Sequence, residues 1–212
     1  MMDFIERTKS EAIKKGDIEL IKDIILNAAP RPWPEAETYA VTCPHLAFLY
    51  SSNIIEGRWR PGEKIIKTEP RLAVFYARDI IKGRWKSAEC YIRKDASSAC
   101  LYACDILRRA WPEAEEVIFN DPFSAVTYAK YILKREDKRA EASAALLPSA
   151  AIYYSTNVME RRWLQIEPSI VSLNEYEKNL YLKHHKINEE YMIKTNSLFN
   201  EIMATSEMSL ID

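Results

Sequence analysis

The tryptophans of this chain recur at a fixed spacing. They stand 26, 26, 26 and 52 residues apart, at positions 33, 59, 85, 111 and 163. The place that the period leaves empty is occupied by Asp137. A fixed period of this length is typical of a repeat protein, in which each unit is one small structural motif.

Other positions recur with the same period, and we call the set of residues at one position of the unit a column. With the tryptophan counted as first, the fifth column is glutamate: Glu37, Glu63, Glu89, Glu115, Glu141 and Glu167. The eighteenth column is tyrosine: Tyr50, Tyr76, Tyr102, Tyr128 and Tyr154. We expect the two aromatic columns to pack in the core. We expect the glutamate to bond a backbone N–H, a neighbouring arginine or the indole N–H rather than to serve one active site.

Each unit carries two helix starts. Pro34 and Pro112 follow a tryptophan and precede acidic residues, which favours a short first helix. Glu69 and Asp121, each followed by proline, start a second helix of roughly 13 residues by the same logic. Gly57, like Gly83 in the next unit, stands where a helix end needs a left-handed residue. The sequence therefore predicts an all-α fold, an α-solenoid of two-helix repeats.

The pattern divides the chain into four segments. Residues 1–32 form N-terminal helices, in which Glu11 marks a degenerate first repeat, and residues 33–170 form the repeat array. Residues 171–204 form a longer helix that caps the array or pairs with a second copy, and residues 205–212 form a flexible tail. The predicted helix has an apolar stripe: Leu180, His184, Ile187, Tyr191, Leu198 and Ile202.

Composition excludes several classes of protein. The net charge is -1, whereas a nucleic-acid coat would be strongly basic. No segment approaches the roughly 18 consecutive apolar residues of a membrane span, and the N-terminus has no apolar signal core, so we expect a soluble intracellular chain that does not bind membranes. The four cysteines have no zinc-finger spacing, and we expect reduced, buried thiols. No phosphate loop or catalytic motif is present, which predicts neither enzyme activity nor a cofactor.

Charge is distributed unevenly along the repeats. Residues 59–84 carry seven Lys or Arg and three Asp or Glu, whereas residues 163–212 carry four and eight. Positions twenty and twenty-four of the unit lie on its second helix and predict a basic row. Positions thirteen and seventeen of the unit add aromatic and basic side chains. The candidate binding residues are Arg71, Phe75, Arg78, Lys82, Arg108, Phe123, Lys130 and Lys134.

Two stretches resemble a known repeat type. The segments 76–85 (YARDIIKGRW) and 111–115 (WPEAE) are similar to a degenerate helical repeat in proteins of tailed bacteriophages and other large DNA viruses. The resemblance covers roughly residues 33–170. It implies a phage accessory protein in the host cytoplasm without catalytic residues, and it makes a host defence protein the natural target for inhibition.

Two functions remain open at this stage. The first is a non-enzymatic protein-binding solenoid whose basic row meets an acidic surface of a host protein. The alternative is an RNA- or DNA-binding protein that uses the same row, and its affinity would fall steeply with salt.

Overall fold

The computed structural model describes residues 2–27, 32–171 and 173–208, and these residues contain helices and no strand. The expected all-α class is confirmed. The chain divides into two compact units, Met1–Val117 and Ile118–Asp212.

The helices follow the period of the sequence. The N-terminal pair is α1 (Met2–Lys15) and α2 (Ile18–Asn27). The six repeat pairs are α3 (Pro34–Ala40) with α4 (Pro44–Asn53), α5 (Arg60–Ile66) with α6 (Pro70–Phe75), α7 (Glu89–Ile92) with α8 (Ala96–Tyr102), α9 (Pro112–Phe119) with α10 (Pro122–Tyr128), α11 (Lys138–Ala144) with α12 (Pro148–Tyr154), and α13 (Glu167–Val171) with α14 (Glu175–His185). The last helix is α15 (Glu189–Met208). Short 3-10 turns, Lys86–Ala88 and Leu164–Ile166, precede α7 and α13.

The predicted helix starts are present. The carboxylates of Glu69, Asp95 and Asp121 each accept the N–H of the residue three positions later, at 2.6–2.8 Å. These bonds satisfy backbone donors that have no partner within the first turn of a helix. The turn between the helices of a unit is therefore held by a side chain that precedes the second helix.

Four second helices continue as π-helix, in which each N–H bonds the carbonyl five residues earlier. These extensions are Tyr76–Ile81, Ala103–Leu107, Ala129–Leu133 and Ser155–Met159. The left-handed residue that follows is the twenty-fourth of the unit, such as Lys82 with a φ of 57°. The assignment of the left-handed conformation to Gly57 and Gly83 is wrong by one residue, because Glu56 and Lys82, directly before them, have positive φ. The N–H of Gly83 instead closes the helix end by donating to the carbonyl of Ala77 at 3.0 Å.

The aromatic columns lie in the core, as expected. Each of the five tryptophans is at most 6% exposed, and the tyrosines at the eighteenth position are fully buried. The alanines at the fifteenth position are also fully buried. Small side chains there let backbones approach closely, while the aromatic rings fill the remaining space.

Both ends depart from the expected pattern. Glu11 is exposed and lies 4.0 Å from Lys15, so it does not have the position of a repeat glutamate. At the C-terminal end, α14 and α15 are separate helices, and Lys186 between them has a φ of 54°. The helix continues to Met208, and residues 209–212 of the expected tail lie outside the described residues.

The apolar stripe expected along the last helix is wrong. Leu180, Tyr191 and Leu198 are about half exposed, whereas Tyr181, Leu182 and Met192 are buried. Within α14 the buried side chains are Lys178, Tyr181 and Leu182, which are offset from the expected Leu180 and His184. Beyond the break at Lys186, one continuous helical spacing does not apply to α15. The side chain of Ile202 lies outside the described ones.

Candidate protein-binding surface

A closed polar network lies inside the repeats, and Tyr102 is at its centre. Its hydroxyl accepts the main-chain N–H of Trp85 at 2.7 Å and donates to Glu89 at 3.2 Å. Arg84 donates two hydrogen bonds to the same carboxylate, at 2.6 and 2.9 Å. The bonds from Arg84 lower the pKa of Glu89, and burial raises the pKa of Tyr102 to about 12.

The network recurs along the chain. The N–H of the first residue donates to a tyrosine hydroxyl at 2.8–3.0 Å in four further units: Trp33–Tyr50, Trp59–Tyr76, Asp137–Tyr154 and Trp163–Tyr181. The tyrosine donates to the glutamate in three of them: Tyr50–Glu37, Tyr76–Glu63 and Tyr181–Glu167. An arginine just before the tryptophan binds that glutamate through two nitrogens in Arg58–Glu63 and Arg162–Glu167. The expected glutamate–arginine bond is thus present.

The same tyrosines join consecutive units. The ring of Tyr50 lies 4.8 Å from the ring of Trp59, and Tyr76 lies 5.0 Å from Trp85. One side chain therefore ties its own unit by hydrogen bonds and packs on the next unit through its face.

The unit without a tryptophan keeps this packing by another route. Phe119, at the ninth position of the preceding unit, packs edge-on against Tyr128 with ring centroids 5.8 Å apart. The guanidinium of Arg139 lies 4.3 Å from the Phe119 ring and also binds the carboxylate of Asp137. Phe119 fills the place where other units have a tryptophan against the tyrosine, and sequence reasoning missed this substitution.

The last unit contains a shift of one residue. The period places position eighteen at Leu180, but Tyr181 makes the bonds to Trp163 and Glu167. Its second helix, α14, begins one residue late at the cap residue Asn174 and has no π-helical turn. The left-handed Lys186 remains at the twenty-fourth position. The turn before α14 is one residue longer than in the other units, and the segment from its start to Lys186 is one residue shorter. Counting along the 26-residue period did not detect this shift.

Three of the predicted binding residues form a cluster in the N-terminal compact unit, Met1–Val117. The guanidinium carbons of Arg71 and Arg78 lie 5.6 and 5.0 Å from the centroid of the Phe75 ring. Both arginines are exposed, and Phe75 is half-buried between them. Arg71 makes no ion pair with any described residue. We call these three residues the Arg–Phe–Arg cluster.

Arg78, at position twenty of its unit, also makes contacts that the sequence did not indicate. Arg78 binds the neighbouring Asp79 at 2.8 Å and reaches Asp105, in the following unit, at 3.4 Å. These carboxylates raise the pKa of Arg78, and the largest cause is the hydrogen bond that Arg78 donates to Asp79. Part of the positive charge predicted for this surface is therefore neutralised.

Lys130, also at position twenty, likewise bonds residues of the following repeat, within the compact unit Ile118–Asp212. Its ammonium donates to Tyr153 at 3.1 Å and to Asn157, 27 residues further along, at 2.8 Å. It also lies 5.1 Å from the centroid of the Tyr131 ring. Positions twenty and twenty-one of successive units are thus bonded in both cases, so Lys130 is a contact between repeats and is only half-exposed.

The expectation of one helical row through positions twenty and twenty-four is wrong. Lys82, Arg108 and Lys134 are the left-handed residues that end their helices, with φ of 52–57°. A π-turn and the reversal of φ therefore separate positions twenty and twenty-four, which do not lie one α-helical turn apart. All three side chains are exposed at the helix ends, and Phe123 is 49% exposed in the first turn of α10.

The acidic, histidine and cysteine side chains near this surface bear on metal binding and on redox chemistry. Among the described residues, no group of three or more His, Cys, Asp or Glu side chains is placed to hold a metal ion. All four cysteines are free, but the expectation of buried thiols is confirmed for Cys100 alone, because Cys43 and Cys104 are half-buried and Cys90 is exposed. Sequence spacing did not show that Cys90 falls on the outer side of a four-residue helix.

None of the helices in the described part of the chain combines the length and the apolar character that crossing a bilayer requires. Comparison with known proteins gives no relative: no family model, no curated protein and no solved structure matches this chain.

Proposed function

We propose that this chain is a non-enzymatic, protein-binding α-solenoid that binds an acidic surface of a host protein. The observation that carries the proposal is the exposed Arg–Phe–Arg cluster on positions that the internal network does not use. Arginine and aromatic side chains are enriched at protein interfaces, and a few such residues dominate the binding energy. Recurrent buried columns with a closed polar network support stacking of the units, because a single unit cannot bury its apolar face.

The bonding of the cations favours a protein over a nucleic acid. Arg78 shares its charge with Asp79 and Asp105, so two carboxylates stand beside it on the same surface. A phosphate backbone would be repelled by them, whereas a protein partner can offer donors to the carboxylates and acceptors to the guanidinium. Lys130 is likewise bonded to neutral acceptors of its own chain.

The biological setting of the proposal rests on the sequence resemblance alone. If the chain is a phage accessory protein in the host cytoplasm, a regular surface that varies at its outer positions is suited to inhibiting a host defence protein. Affinity purification from a bacterial host lysate, with and without nuclease, identifies the partner.

Reversal of the exposed charges in the N-terminal unit tests the proposed surface. We expect the triple variant Arg78→Glu, Lys82→Glu and Arg108→Glu to fold and to lose partner capture by at least about tenfold, roughly 1.4 kcal/mol. Exposed charges contribute little to stability, so the circular dichroism spectrum and melting curve should change only slightly. Capture is measured by pull-down with purified variants.

The matched control reverses three exposed cations on the first helix of a unit or in the 3-10 turn before it: Arg60, Lys64 and Lys86. This control has the same net charge as the test variant, so a general loss of positive charge would weaken both equally. A folded test variant that captures the partner as well as the control does would overturn the proposed surface.

A further inference from the structure

We propose that an apolar groove beside the Arg–Phe–Arg cluster binds an amphipathic, acidic helical segment of the partner protein. The groove lies between α2, α4 and α6 in the N-terminal unit and has a volume of about 350 Å³. This inference rests on the proposed protein-binding function and names the kind of segment that is bound.

The walls of the groove are apolar and come from three helices. Ile18 of α2, Leu46 and Leu49 of α4, and Leu72 of α6 contribute aliphatic side chains, and Phe48 adds an aromatic one. Ile18 is 40% exposed and Leu49 is half-exposed, so apolar surface remains in contact with solvent. Clefts of roughly 300–1,000 Å³ with such a lining are typical of binding sites.

The groove and the cluster occupy equivalent positions on neighbouring second helices. His45 and Leu49 line the groove at positions thirteen and seventeen of their unit, and Arg71 and Phe75 hold the same positions in the next unit. Leu72, which lines the groove, directly follows Arg71 in α6. The apolar groove and the basic cluster therefore form one surface within the N-terminal unit.

Charge complementarity selects the occupant. Lys22 at one edge is bound by Glu19 at 3.1 Å and adds little net charge. Arg71, next in the chain to the lining residue Leu72, is exposed and has no ion-pair partner among the described residues. It belongs to a segment, residues 59–84, with four more basic than acidic residues. A segment that places an aliphatic side chain in the groove and a carboxylate one helical turn away satisfies both features.

Selection from a peptide library tests this specificity and does not require the partner to be identified. The probe is a displayed library of random peptides about 16 residues long, enough for roughly four helical turns. We expect the wild-type chain to enrich peptides in which Leu, Ile, Met or Phe stands three or four positions from Asp or Glu. Enrichment of basic peptides, enrichment of purely apolar peptides or no enrichment would each overturn the inference.

Two substitutions locate the enriched peptides on the surface. Leu49→Gln and Arg71→Glu should each weaken their binding by at least about tenfold, as measured by fluorescence anisotropy. The controls are Leu101→Gln, which changes the equivalent position two units further along, and Lys64→Glu on the first helix of the unit that contains Arg71. Equal losses in the test and control variants would contradict binding in the groove.

The outcome is separable from that of the proposed function. If Leu49→Gln still captures the partner from lysate while the triple charge-reversal variant does not, the charged surface stands and the groove is not used. If the enriched peptides bind the groove but the triple variant captures the partner normally, the groove stands and the proposed surface is wrong.

Discussion

At the scale of single residues, the tyrosine at position eighteen combines hydrogen bonding within its unit with packing on the next unit. Tyr102 accepts a main-chain N–H, donates to Glu89, and packs its ring 5.3 Å from that of Trp111. The N–H of Trp85 would otherwise be a donor buried without a partner, which costs roughly 1–3 kcal/mol. Recurrence of the tyrosine is explained by this combination, because phenylalanine supplies only the packing.

Removal of one hydroxyl measures the contribution of the polar network. We expect Tyr102→Phe to lower the free energy of unfolding by about 1–3 kcal/mol, because it leaves the buried N–H of Trp85 unpaired. Chemical denaturation followed by circular dichroism measures the change. The control, Tyr176→Phe, removes a hydroxyl from an exposed ring and should leave stability within about 0.5 kcal/mol. Equal effects in both variants would contradict a stabilising network.

His185 makes stability depend on pH. Burial, assisted by the charges of His184 and Arg162 and opposed by that of Glu167, lowers the pKa of His185 to about 4. The unfolded chain therefore binds a proton below about pH 6.5 that the folded chain does not accept until about pH 4. The free energy of unfolding should fall as pH decreases through this interval.

Substitution of His185 isolates its contribution to the pH dependence of stability. We expect His185→Phe, which keeps an aromatic ring beside Tyr181, to flatten the fall in the melting temperature between pH 6.5 and 4. His45→Phe is the matched control, since it removes a histidine from the exposed surface of the N-terminal unit. The same flattening in the control would mean that His185 is not the group responsible.

At the scale of elements, the π-helical turn sets the relation between the tyrosine and the helix end. In the units with this turn, the left-handed residue follows the tyrosine by six positions, as Lys82 follows Tyr76. In the last unit α14 is entirely α-helical, and Lys186 follows Tyr181 by five. The turn thus accommodates one residue while the period of the unit is kept. Its repetition indicates a structural role, although isolated π-turns often accompany functional sites.

Phe119 packs on Tyr128 in place of the tryptophan that the unit beginning at Asp137 lacks, and this role can be tested. We expect Phe119→Ala to lower the free energy of unfolding by about 3–5 kcal/mol, because it removes a buried ring from Tyr128 and Arg139. Phe123→Ala, four residues away on an exposed ring, should change stability by less than about 0.5 kcal/mol. A loss below about 1 kcal/mol for Phe119→Ala would mean that this ring does not replace the tryptophan.

At the scale of the whole molecule, formal charge overstates the basic character of the surface. Arg58, Arg84 and Arg162 are bound to glutamates of the internal network, and Arg78 is bound to two aspartates. Other exposed cations, among them Arg71, Lys82 and Arg108, make no ion pair with a described residue, so part of the surface stays basic. The two carboxylates beside Arg78, rather than a shortage of cations, therefore favour a localised acidic patch of a protein over a phosphate backbone.

Salt dependence tests this conclusion. We expect the affinity for the captured partner to fall by less than about tenfold between 50 and 200 mM salt, whereas a protein with six to ten phosphate contacts loses roughly 10³–10⁵. Nuclease treatment of the lysate should leave capture unchanged. Recovery that disappears after nuclease treatment, together with a steep dependence on salt, would identify a nucleic-acid partner.

The period, the helical class and the buried aromatic columns were determined by the sequence, because each unit repeats the same local pattern of caps and apolar positions. The tertiary structure alone decided which residue is left-handed, that Phe119 replaces a tryptophan, and that the register shifts at Tyr181. It also decided that Arg78 and Lys130 bind residues of the next unit. Local patterns specify helices through neighbours within four residues, whereas these contacts join side chains that only packing brings together.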